Sequence, residues 1–178
     1  LADSNNFGLT NNIVSGKTLT FLGASANSIT GNRTWTINGT GDTVIDGNIT
    51  TSTALNIPIT YSGTGSLTLK GTASDWNAGL LSVNNGTLRI GANEVIPNAA
   101  DSGNITIGPA VGATATLDLN GFTETVNALT ANSAGTVIVD NSSATPAMFR
   151  FGDNNTPIDF GSALFRPTEH PQRGTRSG

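Results

Sequence analysis

Two stretches decide the fold: Gly63-Thr64-Gly65-Ser66-Leu67-Thr68-Leu69-Lys70-Gly71 and, after a short gap, Leu81-Ser82-Val83-Asn84-Asn85-Gly86-Thr87-Leu88-Arg89-Ile90-Gly91. In each, Leu, Ile or Val alternates with a polar residue, and a glycine closes the run. Alternation with period two puts the apolar side chains on one face of a strand and Thr, Lys or Arg on the other. The closing glycine is expected to turn the corner, because it accepts positive φ without steric cost.

The same unit recurs along the chain. Leu19-Thr20-Phe21-Leu22-Gly23, Trp35-Thr36-Ile37-Asn38-Gly39, Ile105-Thr106-Ile107-Gly108, Leu117-Asp118-Leu119-Asn120-Gly121 and Val137-Ile138-Val139-Asp140 are copies. Val44-Ile45-Asp46-Gly47, Leu55-Asn56-Ile57 and Val126-Asn127-Ala128-Leu129 are less regular ones. Two or three inward residues per strand are too few for an isolated hairpin, whereas stacked coils share one continuous core. Strand starts recur at roughly a dozen residues and related strands at roughly twenty, which are solenoid spacings. The longer gaps near residues 72–80 and 91–104 read as loops leaving the solenoid. No stretch carries apolar residues at helical spacing over three turns, and abundant Thr, Asn and Gly disfavour helix. The expectation is an all-β chain forming a right-handed parallel β-helix (β-solenoid), with an antiparallel β-sandwich as the alternative.

Residues 63–91 resemble the autotransporter-associated β-strand repeat of bacterial passenger domains and related exported proteins. The family pattern is a G-x-G-x-L-x-L-x-G strand, an aromatic-glycine loop and a V-x-x-G-T-L strand. Here Trp76 stands where Tyr is usual, Leu81 where Thr is preferred, and the loop glycine, Gly79, is single. The segment Ala115-Thr116-Leu117-Asp118-Leu119-Asn120-Gly121-Phe122, followed by Val126-Asn127-Ala128-Leu129, is similar to the continuation that follows such repeats. The resemblance implies a structural β-helix in an exported or cell-surface bacterial protein and assigns no activity, since fold does not determine function.

Composition narrows the partners. Charged residues are 11% of the 178, the net charge is −4, and 36% are hydrophobic. No basic patch is present to track a phosphate backbone, so nucleic acid is not an expected partner. There is no cysteine, hence no disulfide or thiolate metal site. No apolar run reaches the roughly 20 residues of a membrane-spanning helix. The start, Leu1-Ala2-Asp3-Ser4, lacks the basic and apolar regions of a signal peptide and reads as a mature form or a fragment. Residues 1–161 are expected to form the solenoid. Residues 162–178, with Pro167, Pro171, the sole histidine and three of the eight basic residues, read as a disordered or partner-dependent tail. Phe149, Phe151 and Phe160 are candidates to plug the open end, which otherwise offers strand edges for self-association.

Chemistry-bearing residues are sparse. His170 lies in the Pro-rich tail, away from any Ser-His-Asp arrangement. Asp42 with Asp46, and Asp153 with Asp159, are near neighbours, but Asp46 and Asp153 sit in turn-forming sequences. A carbohydrate-active β-helix enzyme of lyase or glycoside hydrolase type would need such acids, Asp118 included, to meet in one groove with a base such as Arg33, Lys70, Arg89 or Arg150. Asp140-Asn141-Ser142-Ser143 and Asp153-Asn154-Asn155 are oxygen-rich, yet they match neither the nonapeptide calcium solenoid nor an EF-hand. No metal site and no cofactor are expected. The pairs Thr18-Leu19-Thr20, Thr34-Trp35-Thr36 and Thr114-Ala115-Thr116 suggest an ice-binding rank, but their spacing is irregular.

The leading expectation is therefore a non-catalytic extracellular scaffold with an adhesive or surface-structure role. Loops around Trp76 and residues 92–103 would present its contact surfaces. Trp76, partly exposed and flanked by Asp75 and Asn77, is the candidate platform for a glycan or other cell-surface ligand.

Overall fold

The computed structural model describes residues 6–22, 27–29, 34–51, 56–76, 79–99, 102–131 and 134–152. Among them are sixteen short strands and no helix. The first coil contributes β1 (Phe7–Thr10), β2 (Thr18–Phe21) and β3 (Asn27–Ile29); the second β4 (Trp35–Asn38), β5 (Asp42–Ile45) and β6 (Ile49–Thr51). The third adds β7 (Ile59–Tyr61) and β8 (Ser66–Leu69), and the fourth β9 (Leu81–Val83) and β10 (Gly86–Ile90). The fifth holds β11 (Asn104–Ile107), β12 (Thr114–Asp118) and β13 (Thr123–Val126), the last β14 (Ala128–Ala131), β15 (Thr136–Asp140) and β16 (Met148–Phe151).

Every strand pairing is parallel, and each partner comes from an adjacent coil. One six-stranded sheet runs β1-β4-β7-β9-β11-β14, and a second runs β2-β5-β8-β10-β12-β15. A discontinuous third side holds β3-β6 and β13-β16. The chain is thus a parallel β-solenoid of about 5 turns, and the antiparallel sandwich is set aside. The two stretches that open the sequence reading occupy one station on successive coils: Leu67 faces Leu88 and Leu69 faces Ile90.

Stacking turns each repeated apolar position into a column. On the first sheet Phe7, Trp35, Ile59, Leu81, Ile105 and Leu129 form one, and Leu9, Ile37, Tyr61, Val83, Ile107 and Ala131 another. On the second, Thr43, Leu67, Leu88 and Leu117 align and are buried. Burying a Leu or Ile side chain contributes roughly 1.5–3 kcal/mol, so the shared column is the main source of stability. Thr43 occupies a Leu slot without leaving its hydroxyl stranded, because Asn11 Nδ2 donates to Thr43 Oγ1 at 3.0 Å.

The expectation about closing glycines holds at Gly39 and Gly121 and is corrected at Gly47, Gly71, Gly91 and Gly108, none of which has a positive φ. The role of Gly71 is close approach: a Cβ there would lie 2.5 Å from the Gly47 carbonyl oxygen of the coil below.

The two sequence gaps are also corrected. Residues 72–80 do not leave the solenoid at Ser74–Trp76: Asp75 bridges Thr50 in parallel, Ser74 Oγ accepts the Ile49 amide at 3.1 Å, and Trp76 is buried. Residues 91–103 likewise send Val95 and Ile96 into the core. The described parts of both stretches run along the third side, tied to neighbouring coils by backbone bonds at Asp75 and Glu94 as well as by side chains.

Phe149 and Phe151, in the last coil, pack against the core with ring centroids 5.4 Å apart. Phe160, Asp153, Asp159, His170, the domain boundary at 161 and the tail at 162–178 lie outside the described residues. Among the described residues no helix is long and apolar enough to cross a membrane.

Candidate functional site

The first sheet has a property that no other side shares: none of its six strands carries a charged residue. Between its two inward columns lies one outward position per strand. Register places Thr36, Thr60, Ser82, Thr106 and Thr130 there in an unbroken line, with Gly8 at the end. All five hydroxyl residues are partly exposed. Parallel strands sit about 4.8 Å apart, so five hydroxyls span roughly 19 Å at even spacing. A second line beside it includes Ser62 and Asn84, where Asn84 Nδ2 donates to Ser62 Oγ at 3.3 Å.

The Thr-x-Thr pairs do not form this rank. Thr18, Thr20, Thr114 and Thr116 stand on the second sheet, and of the paired residues only Thr36 belongs to the line on the first. Sequence spacing missed the rank because its members are one coil apart, and coil length varies.

The ionisable groups of the second sheet act as ties between coils. Asp42 Oδ1 accepts the Ser66 amide at 2.9 Å and the Ser66 hydroxyl at 2.7 Å. Asp118 repeats the motif with Ser142, accepting its amide at 3.0 Å and its hydroxyl at 2.7 Å. Asp118 also accepts from Arg89 Nε at 2.9 Å and from the Asn120 amide. Asp46 pairs with Lys70 at 3.2 Å. The strands of Asp42 and Asp118 are separated by β8 and β10. Three strand spacings make about 14 Å, beyond the roughly 5–9.5 Å between carboxyls that work together in glycoside hydrolysis. The turn at Asp140–Ser143 is likewise tied inward: Asn141 Oδ1 accepts the Gly121 amide at 2.7 Å, and Asn141 Nδ2 donates to the Thr145 carbonyl.

Burial alone would raise the Asp118 carboxyl, but the Ser142 amide and hydroxyl, Arg89 and the Asn120 amide outweigh it and hold it below its ordinary 3.8. A depressed carboxyl stabilises the fold above its unfolded pKa, and that contribution is lost as pH falls through the folded value. Asp118→Asn is expected to cost about 1–3 kcal/mol near neutral pH. It should also remove part of the acid-induced fall in melting temperature; an unchanged acid profile would show that Asp118 is not the group responsible.

The proposed ligand residues fare unevenly. Trp76 is 0% exposed, so the expected partial exposure is corrected: its indole fills the core and offers no face to a sugar. Its Nε1 meets no acceptor among the described residues. Asp75 lines a groove on the third side with Thr72, Ser74, Glu94, Asn98 and Ser102. Asn77 lies outside the described residues. The expected contact loop at 92–103 is half inward, since Val95 and Ile96 are buried. Among the described residues no three His, Cys, Asp or Glu side chains cluster as a metal set.

Sequence reading overlooked the two glutamates of the third side. Glu94, held at a φ of 52°, accepts the Thr125 amide and hydroxyl, while Glu124 accepts the Val95 amide at 3.0 Å and the Ile96 amide at 3.2 Å. Glu124 is 0% exposed. Its burial pushes the carboxyl up to about 8; the Val95 and Ile96 amides oppose the rise, and neighbouring Glu94 adds to it. The only hint in the sequence is a glutamate at an apolar station, in Thr123-Glu124-Thr125-Val126.

Comparison with protein-family models, with curated proteins and with solved structures yields no match.

Proposed function

We propose that this chain is a non-catalytic extracellular or cell-surface scaffold whose contact surface is the uncharged face of the first sheet. The observation that carries the reading is the in-register line Thr36-Thr60-Ser82-Thr106-Thr130 on a sheet without a charged strand residue. Charges, by contrast, are used on the other sides to tie coil to coil. An even row of hydroxyls and methyls suits a neutral, repeating ligand such as a glycan chain, because it offers hydrogen bonds without the desolvation cost of buried charge. The resemblance of residues 63–91 to the autotransporter-associated repeat supports an exported, adhesive role for the parent protein. The spread of Asp42, Asp46 and Asp118 favours this reading over a carbohydrate-active enzyme.

The test is a glycan-array screen of the wild-type chain beside Thr60→Lys and Thr106→Lys, with circular dichroism to verify folding. Each lysine is expected to weaken binding at least about tenfold, the equivalent of 1.4 kcal/mol, while leaving the β signature intact. Full binding by both folded variants would place the contact surface elsewhere.

The same row also favours a second reading, binding to an ice lattice, which needs a flat and regular rank of threonines. Thermal hysteresis in the wild-type protein, lost in Thr60→Lys, would support it over glycan binding.

A further inference from the structure

The corners that join the first sheet to the second differ in length from coil to coil. In the fourth coil, β9 and β10 are joined by Asn84 and Asn85 alone. The third-coil corner, residues 62–65, is longer, and the fifth-coil corner, residues 108–113, is the longest of the three. A short corner between two long ones leaves a recess of about 610 Å³. Thr64 borders it on the third-coil side, Asn85 and Thr87 belong to its floor, and Val111, Thr114 and Thr116 form the fifth-coil side. Among the described residues no charged side chain lines it. Its volume falls within the roughly 300–1,000 Å³ of small-molecule sites.

The fifth-coil wall is held from behind. Residues 110–113 make a β-turn in which the Ala113 amide donates to the Ala110 carbonyl at 3.0 Å and Gly112, at a φ of 77°, takes the third position. The next coil fastens this turn: the Gly135 amide donates to the Pro109 carbonyl at 3.1 Å, and the Thr136 amide to the Ala113 carbonyl at 2.9 Å. Val111, at the crest of the turn, is 82% exposed. The floor is fixed as well. The Thr87 amide donates to the Gly65 carbonyl at 3.1 Å, and Asn85 Oδ1 accepts the Gly86 amide at 2.9 Å. With its oxygen committed, Asn85 adds its Nδ2 donor to the recess. A wall and floor formed in advance spare a ligand the cost of ordering them.

We propose that this recess is a binding site for a short neutral saccharide. The hydroxyls of Thr87, Thr114 and Thr116 both donate and accept, and the Asn85 amide donates, which suits a ligand whose own hydroxyls do both. Val111 supplies an apolar patch for the C–H face of a sugar ring. A charged ligand would meet no free counter-ion on the adjoining strands. Arg89 and Asp118, two residues beyond Thr87 and Thr116 on β10 and β12, bond to each other at 2.9 Å. A wholly apolar ligand would strip water from the hydroxyls and leave them unpaired. The inference rests on the proposed function for its ligand class but not for its surface. The hydroxyl row lies on the first sheet, whereas the recess lies at the corner and on β10 and β12 of the second.

The test is a nuclear magnetic resonance titration of the isotope-labelled whole chain with cellobiose, maltose, xylobiose and N,N′-diacetylchitobiose, each to about 20 mM, enough to load a site of millimolar Kd. At least one disaccharide is expected to shift the amides of Asn85, Gly86, Thr87 and Gly112 in a saturable way. Thr114→Trp, which fills the recess, should weaken that binding at least about tenfold. Thr87→Val, which keeps the shape and removes one hydroxyl, should weaken it about two- to tenfold. No saturable shift at those amides with any of the four sugars overturns the site, and so does full binding by folded Thr114→Trp. If Thr114→Trp does not fold, undiminished binding by Thr87→Val overturns it equally. The two readings fail separately. Shifts confined to Thr36, Thr60, Ser82, Thr106 and Thr130 overturn the recess and keep the row. Recess shifts beside full array binding by Thr60→Lys and Thr106→Lys overturn the row and keep the recess.

Discussion

Gly39→Ala is expected to destabilise the solenoid by more than about 4 kcal/mol, the range reserved for severe steric or core damage. Gly39 follows β4 with a φ of 114°, a conformation L side chains rarely adopt. A Cβ there would lie 2.0 Å from the Asn11 carbonyl oxygen, 2.5 Å from its carbonyl carbon and 2.7 Å from its nitrogen. These are backbone atoms of the coil below, so no rotamer change relieves the overlap. Asn11 itself is buried, and its side chain holds the Asp42 carbonyl and Thr43 Oγ1, so displacing it breaks the corner it fastens. Gly112→Ala is the control. Its φ of 77° is also left-handed, but a Cβ would meet nothing within 4 Å, and the expected cost is only about 1–2 kcal/mol. Urea denaturation of the two variants separates conformational strain from collision between coils. Equal losses would mean that the coils are not packed as tightly as the structure indicates.

Leu88→Ala is expected to cost about 2–5 kcal/mol, as for other fully buried leucines. Leu88 is 0% exposed and lies between Leu67 and Leu117, which are equally buried. In a solenoid each coil touches only its neighbours, so damage at a middle coil weakens the interfaces on both sides. Hydrogen exchange should therefore quicken in β8, β10 and β12 together. Leu9→Ala removes the same side chain from a partly buried site in the first coil, with a coil on one side only, and should cost less than half as much. Comparable losses at both sites would argue against a shared column as the main source of stability.

The strands of the two main sheets were legible because an inward face and an outward face give period two, whatever the partner strand. Leu67-Thr68-Leu69 and Leu88-Arg89-Ile90 state their own orientation. The third side was not legible. There Glu124 and Asn127 bond to backbone groups some 25 to 29 residues away, so the local pattern carries no trace of a strand. Residues 91–103 consequently read as an excursion. Trp76 failed for a related reason: its polar neighbours suggested exposure, yet parallel bridging at Asp75 brings it under the third side. The hydroxyl row was invisible because its members lie 22 to 24 residues apart, one coil from the next.

By itself, then, the sequence determined that the chain is all β, where most strands of the main sheets lie and which of their side chains face inward, since alternation and closing glycines are local properties. Only the tertiary structure decided which strands are neighbours, that five hydroxyls line up on an uncharged sheet, that the acids serve as ties, and that Glu124 is sealed inside. Those features depend on the offset between successive coils, which is set by the length and packing of each corner rather than by any strand alone.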